Sequence, residues 1–374
     1  MREIELQREE LFNRYNQEYI LSEEESKRIS ILKVWLTVMV LFIHSYSEAV
    51  IVAVENGSYD TKLWLEILKY TLSHAISRCA VPGFFIISAI LLYKKPFKWK
   101  DNIKKKAKTL LVPYVILNGF WILFFIITQN IPSLSIYFPN EETIVANWGI
   151  IQWIDAFVGF LNGYPMLYPL WFVRDLFVLN LLAILIKKII DIAPNTLFLF
   201  LIMMWLLLNG THLFFLDIQG ICFWGFGYLI VKKNVSISSI DHIRPKVFLF
   251  IYVVLIILDV ATRNSFLNLI VHRFNIIVGI LFWFSCMTKF KTTNINRVLL
   301  WFSSFSFSIY LFHEMNLTIL KKICASLLPS TPIIQAINYI IIPFIIIFCC
   351  IILSLIMEKI MPKLYMVLTG NRSK

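Results

Sequence analysis

The residues that could do chemistry in this chain sit where ionisable groups are costly. Lys33 and His44 lie eleven positions apart in one apolar stretch, and Glu48 follows four residues later. Eleven helical residues make about three turns plus roughly 20°, a rise of about 16 Å, so Lys33 and His44 share a face. Glu48, at i+4 from His44, falls on that face too. A carboxylate beside a histidine fixes the imidazole tautomer and stabilises the imidazolium, the arrangement of a catalytic dyad. Arg78 stands in the second apolar stretch, Trp171, Arg174 and Asp175 in a later one, and Tyr310, His313 and Glu314 near the C-terminal end of another. Each charge placed in hydrocarbon costs several kcal/mol, which makes it a functional candidate.

The elements that hold them are read from composition. Of 374 residues, 59% are hydrophobic and 16% charged, against about half and a quarter in soluble domains. Mean hydropathy is +0.74. This excludes a soluble enzyme, a disordered chain, a disulfide scaffold and an outer-membrane barrel. The expected fold class is all-α: a polytopic integral membrane protein of about ten transmembrane helices. The spans are read at 31–51, 72–93, 110–131, 170–190, 194–209, 213–231, 247–262, 269–287, 298–315 and 333–357, each near bilayer length. The six cysteines form no C-x-x-C pair, so neither a zinc site nor a disulfide framework is indicated and no metal is expected.

Charge sets the orientation. With ten spans, 26 of the 35 Lys and Arg fall in loops on one side and five on the other. The positive-inside rule then puts both termini in the cytoplasm. The net charge of +12 belongs to topology, and no nucleic acid is expected as a partner. Residues 1–30 read as a cytoplasmic amphipathic segment, with Leu11, Phe12, Tyr15 and Tyr19 at helical spacing. Ser22 and Glu25 suit a capping box at the entry to the first span. Residues 31–357 form the membrane domain, and 358–374 a basic cytoplasmic tail.

In this topology the polar residues of seven spans gather in the outer half, with Lys33 alone near the inner end. That layering implies a polar cavity open to the outside or just beneath it. Depth separates the candidates. Lys33, Arg174 and Arg273 could snorkel to an interface, and His212, Asp217, Asp259 and His272 are near enough to an edge to be structural. His44 and Arg78 lie deeper, where function is the better reading.

The same residues carry a family resemblance. Lys33 to His44 resembles the Arg/Lys-x10-His signature in the first span of membrane acyltransferase family 3. Arg78-Cys-Ala-Val-Pro-Gly-Phe-Phe-Ile-Ile-Ser88-Ala89 resembles its second-span motif, and Lys104 to Lys108 followed by Pro113-Tyr114 its basic loop. Leu170-Trp171-Phe172-Val-Arg174-Asp175, Phe226-Gly227-Tyr228 and Ser306-Phe-Ser308-Ile309-Tyr310-Leu311-Phe-His313-Glu314 resemble later motifs in order. The match spans about residues 28 to 357. Lys33 stands where Arg is commoner and Ala89 where Gly is commoner. Lys keeps the charge but not the planar fork.

The resemblance implies transfer of an acyl group, most often acetyl, from cytosolic acyl-CoA to a hydroxyl of a cell-surface glycan or exported molecule, in a bacterial cytoplasmic membrane. It ties activity to His44, Lys33 and Arg78. His44 is then the general base with Glu48 its orienter, and Arg78 the cation facing the oxyanion. Lys33 would hold an anionic part of the donor. Trp171 and Tyr310 offer stacking faces to a sugar, and Arg174, His313 and Glu314 complete the acceptor side. An acyl-enzyme on Ser88 or Ser308 is a minor option. The rival readings are a transporter or exporter of a lipid-linked glycan and a membrane sensor or scaffold without catalysis.

Overall fold

The structure is a computed structural model that describes residues 19–46, 63–135, 144–161, 163–208, 210–242, 245–286 and 294–370. It is helical almost throughout, with one two-stranded hairpin among the described residues. The first helix, α1, runs Glu23–Ser45. Its start is the capping box expected from the sequence: Glu25 N donates to Ser22 Oγ at 3.1 Å, and Ser22 N donates to the Glu25 carboxylate at 3.0 Å. These bonds satisfy amide groups that have no partner within the helix.

Next come α2 (Leu63–Tyr70) and α3 (Ala80–Tyr93), joined without a loop through a wide turn at Thr71–Ile76 and a tight one at Ser77–Cys79. Arg78 stands on the tight turn. The change of helical pitch re-aims it relative to α3, a common device at functional positions. Helices α4 (Trp99–Lys106) and α5 (Val112–Asn130) likewise form one rod. Then follow α6 (Ile150–Val158), α7 (Trp171–Leu181), α8 (Ala183–Ile192) and α9 (Pro194–Leu208). A hairpin, β1 His212–Leu213 and β2 Leu216–Asp217, leads into α10 (Ile218–Lys232). The chain closes with α11 (Pro245–Thr262), α12 (Asn268–Cys286), α13 (Asn294–Ser304), α14 (Ser306–Leu327), α15 (Pro332–Ile360) and α16 (Pro362–Leu368).

Five of these rods are long and apolar enough to cross a membrane: Glu23–Ser45, Leu63–Tyr93, Trp99–Asn130, Asn268–Cys286 and Pro332–Ile360. The pair Tyr168–Leu181 and Ala183–Ile192, bent by 63°, makes a sixth if it is one span. The all-α membrane architecture therefore stands, while the other expected spans are helices that are shorter or more polar. The first three spans begin earlier than the sequence reading placed them, at Glu23, Leu63 and Trp99, and two further stretches are broken. The fourth stretch is bent at Leu182. The ninth, read as 298–315, is split at Phe305, and its second part continues to Leu327, carrying Lys321 and Lys322 into a helix. Residues 1–18 of the expected amphipathic segment lie outside the described residues.

Packing explains the arrangement. Helix α1 touches α3, α13, α14 and α15, and its Leu32, Leu36 and Leu41 are almost wholly buried. Helix α10 lies so close to α3 that a Cβ on Gly227 would stand 2.6 Å from the Ile86 carbonyl oxygen. Small residues permit this approach between membrane helices. Outward, α5 exposes Val115, Phe120, Leu123 and Ile127, and α15 exposes Ile333, Phe344 and Phe348. Stripes of large exposed apolar residues on long helices suit contact with lipid.

Candidate active site

The last turn of α1 carries His44, and α14 carries Tyr310, His313 and Glu314. The two imidazole centroids are 4.9 Å apart. His44 Nδ1 lies 3.7 Å from a Glu314 carboxylate oxygen and is hydrogen-bonded to the Tyr168 hydroxyl. His313 Nδ1 lies 2.6 Å from the Tyr310 carbonyl. A carbonyl can only accept, so Nδ1 carries the proton and Nε2 is left with its lone pair. His313 Nε2 and Glu314 Oε2 are 4.0 Å apart, both buried and both without a hydrogen-bond partner among the described residues. Unsatisfied buried polar atoms carry a cost and call for an explanation. Here they converge on the space beside His44.

The supporting shell comes from elements distant in sequence. Tyr310 donates its hydroxyl to the Pro169 carbonyl, fixing the turn that carries Tyr168. Lys321, about two turns beyond Glu314 on α14, donates to the His44 carbonyl at 2.9 Å. Thr318 Oγ1 donates to the other Glu314 oxygen at 3.2 Å. On the open side, Tyr164 and Tyr168 are 43% and 40% exposed. Tyr164 meets the edge of Trp171, which also touches Phe85 and Phe172.

Arg78 lies within electrostatic range of His44, Tyr164 and Tyr168 on one side and of Tyr70 and His74 on the other. Its side chain is exposed to solvent. Lys33 is part-buried on α1, eleven residues before His44 on the same unbroken helix.

Arg174 is placed differently from the expectation of a substrate contact. Its guanidinium is committed to the fold. Nε donates to Asp175 at 2.9 Å, NH1 to the Val158 carbonyl at 2.7 Å, and NH2 to the carbonyls of Gly163 and Phe215. Asp175 in turn accepts from Asp217 N at 2.9 Å. The pair ties α7 to the loop after α6 and to the hairpin. Gly159 has φ +68° and leaves room that a Cβ would take from Arg174, at 2.7 Å. Glu48 lies outside the described residues. Glu314 is the carboxylate that the structure sets beside His44. Tyr168 and Lys321 carried no sequence signal toward His44, since 124 and 277 residues separate them from it.

Ligand atoms of His44, His313 and Glu314 all lie within 4.8 Å of one another, a spacing a divalent ion could gather. Lys321, close enough to act on Glu314 and His44, and Arg78 put positive charge next to that spot and oppose a cation there.

A part-buried histidine at the end of α1 thus meets a buried histidine and a carboxylate of α14 inside an apolar bundle, an arrangement suited to acid–base chemistry. The chain belongs to the acyltransferase-3 family, whose acyltransferase domain matches residues 26–359. It is also similar to the succinoglycan biosynthesis protein ExoH of Rhizobium meliloti (strain 1021), 26% identical over 182 residues. That alignment covers 46% of this chain and 44% of ExoH, so it spans less than half of the relative. No solved structure matches. The family resemblance drawn from the motifs is thereby established.

Proposed function

We propose that this protein takes an acyl group, acetyl in the simplest case, from acyl-CoA on the cytosolic side of a bacterial cytoplasmic membrane and places it on a hydroxyl of a surface polysaccharide or exported molecule. The observation that carries the reading is the convergence of His44, His313, Glu314 and Tyr168 on one space. The similarity to a succinoglycan biosynthesis protein supports a glycan as acceptor.

His44 is the general base. Its Nδ1 faces Tyr168 and Glu314, which leaves Nε2 for the acceptor hydroxyl. As the hydroxyl oxygen attacks the thioester carbonyl, Nε2 takes its proton, a step worth about 10²–10⁴-fold. Glu314, at 3.7 Å in the resting state, stabilises the imidazolium that forms. The tetrahedral oxyanion faces the positive charge of Arg78. Collapse breaks the C–S bond, and the CoA thiolate recovers the proton from His44. His313 Nε2, unprotonated and unpartnered, accepts a hydrogen bond from the acceptor and orients it. Trp171 and Tyr164 supply the aromatic wall. Lys33, about 16 Å down the same helix face, holds an anionic part of the donor.

The test uses membranes containing the protein or its His44→Ala variant, given labelled acetyl-CoA, with label followed into extracted glycans and lipids. Label that depends on His44 is the expected result and identifies the acceptor. Equal label with both removes His44 as base. No label with either, while glycan export fails without the protein, favours an exporter.

A further inference from the structure

The wide turn at Thr71–Ile76 is propped by side chains from other helices. Tyr339 of α15 donates its hydroxyl to the Lys69 carbonyl at 3.1 Å, just before the turn. Asn275 of α12 donates Nδ2 to the Ala75 carbonyl at 2.7 Å, and Tyr252 of α11 donates its hydroxyl to the Ile76 carbonyl at 3.1 Å. The turn is also tied to the helix that carries the base. Ser73 Oγ donates to the Phe42 carbonyl of α1 at 2.5 Å, two residues before His44. Arg78 follows three residues after Ala75.

Asn275 is fixed in turn by Asp259, a fully buried residue of α11. The second Nδ2 hydrogen of Asn275 goes to the Asp259 carboxylate at 2.8 Å. That carboxylate also accepts from the Tyr70 hydroxyl at 2.9 Å, Asn268 Nδ2 at 2.8 Å and His272 Nδ1 at 2.8 Å. Asp259 therefore grips both ends of the wide turn, Tyr70 directly and Ala75 through Asn275. Both partners of Asn275 Nδ2 are acceptor oxygens, which fixes the orientation of the amide. Its Oδ1 is left buried with no partner among the described residues. An orphaned buried acceptor carries a cost that an apolar side chain would avoid. The bond to Ala75 is what asparagine supplies and an apolar residue could not.

A wide turn accommodates one residue more than a regular one, and one residue corresponds to about 100° around a helix axis. If Thr71–Ile76 relaxed to regular pitch, Arg78 would rotate by about that angle relative to α2. We propose that Asn275, held by Asp259, is a positioning residue for Arg78: it keeps the wide turn wide and so sets where the guanidinium stands relative to His44. Stabilisation of an oxyanion depends on charges and donors fixed in advance. The inference rests on the acyl-transfer reading only in giving Arg78 a part in the reaction. The placement of the turn itself needs no donor or acceptor.

The experiment uses membranes containing the full chain and follows label from acetyl-CoA into extracted glycans and lipids over a range of donor concentrations. Asn275→Leu is expected to lower the saturated rate about 10- to 100-fold with donor KM unchanged. Tyr252→Phe, which keeps its ring and loses the bond to Ile76, should act in the same direction, and it carries the test if Asn275→Leu does not fold. In an Arg78→Gln background neither substitution should slow transfer further, because both act through Arg78. A second readout needs no catalysis. Arg78 is exposed to solvent, so in Arg78→Cys the introduced thiol can be followed with a charged, membrane-impermeant thiosulfonate, counted above the labelling of the unsubstituted chain. Adding Asn275→Leu, or Tyr252→Phe in its place, should change that labelling rate about 10-fold, since thiol exchange depends on access. The proposal is overturned if the losses multiply in the Arg78→Gln background, or if thiol labelling is the same with and without the second substitution. Labelling that changes while Arg78→Gln transfers at the wild-type rate would leave the positioning intact and defeat the part given to Arg78.

Discussion

Lys321 donates its ammonium to the backbone carbonyl of His44 at 2.9 Å. That carbonyl belongs to the last turn of α1, where oxygens have no partner within the helix and the helix dipole is negative. A cation from α14 therefore ends the helix that presents the base, while its charge also acts on Glu314. Lys321 holds both halves of the site in register.

Lys321→Met should lower kcat about 10- to 100-fold, the scale of one charge-assisted hydrogen bond of about 1.5–3 kcal/mol. Donor KM should change little, because Lys33 is untouched. Lys321→Arg, which keeps charge and donors, should recover part of the rate. Steady-state kinetics on the three proteins decides it. A KM effect with kcat unchanged would assign Lys321 to substrate binding instead.

His44 and Glu314 should behave as a unit. His44→Gln is expected to cut kcat by about 10²–10⁴-fold, and Glu314→Gln by less, since its part is to stabilise the imidazolium. The double variant should be no worse than His44→Gln alone, because Glu314 acts through the base. Multiplicative losses in the double variant would mean that the carboxylate works on the acceptor directly.

Much of this was legible in the chain before its fold was seen. Apolar runs and positive-charge asymmetry pointed to a helical membrane protein. The eleven-residue spacing of Lys33 and His44 put both on one helix, as α1 bears out. What sequence could not supply was the partner of His44. Glu48 is the local choice at i+4, but tertiary packing sets Glu314 beside the ring from a helix about 270 residues away. Tyr168 and Lys321 are hidden for the same reason. Arg174 and Arg78 look alike in sequence, as lone arginines in apolar helices. Only the hydrogen bonds show that the Arg174 guanidinium is used by the fold, whereas Arg78 is exposed to solvent. The span boundaries blurred where helices bend or break, at Leu182 and Phe305, positions that hydropathy averages over.

The Phe226-Gly227-Tyr228 motif has a packing reason that a substitution can check. A Cβ on Gly227 would lie 2.6 Å from the Ile86 carbonyl oxygen and 2.7 Å from Ala89 Cβ. Neither is the movable end of a long side chain, so α10 and α3 must separate. Gly227→Ala should destabilise the protein by about 1–3 kcal/mol. Ala89→Gly, which restores the residue commoner in the family, should recover part of that loss by removing one of the two clashes. Unfolding of the single and double variants in detergent, read by circular dichroism, tests the pairing. Equal stability of Gly227→Ala and wild type would show that the helices tolerate a wider spacing.

Two tyrosines at the site should separate by readout. The Tyr168 hydroxyl meets His44 Nδ1, while the Tyr310 hydroxyl meets the Pro169 carbonyl that anchors the Tyr168 turn. Tyr168→Phe leaves an exposed ring in place and removes one partner of the base. It should lower kcat about 10-fold, since one hydrogen bond is worth roughly 0.5–1.5 kcal/mol, with thermal stability unchanged. Tyr310→Phe instead strands a backbone carbonyl beneath the site, at a cost of about 1–3 kcal/mol in stability. The freed turn then releases Tyr168, so kcat falls as well. Adding Tyr168→Phe to Tyr310→Phe should therefore slow the enzyme little further, whereas adding Tyr310→Phe to Tyr168→Phe should still cost stability. Melting curves and kcat for the two single variants and the double variant resolve the order of action. A fall in stability from Tyr168→Phe as large as that from Tyr310→Phe would show that both hydroxyls serve the fold and neither serves the base.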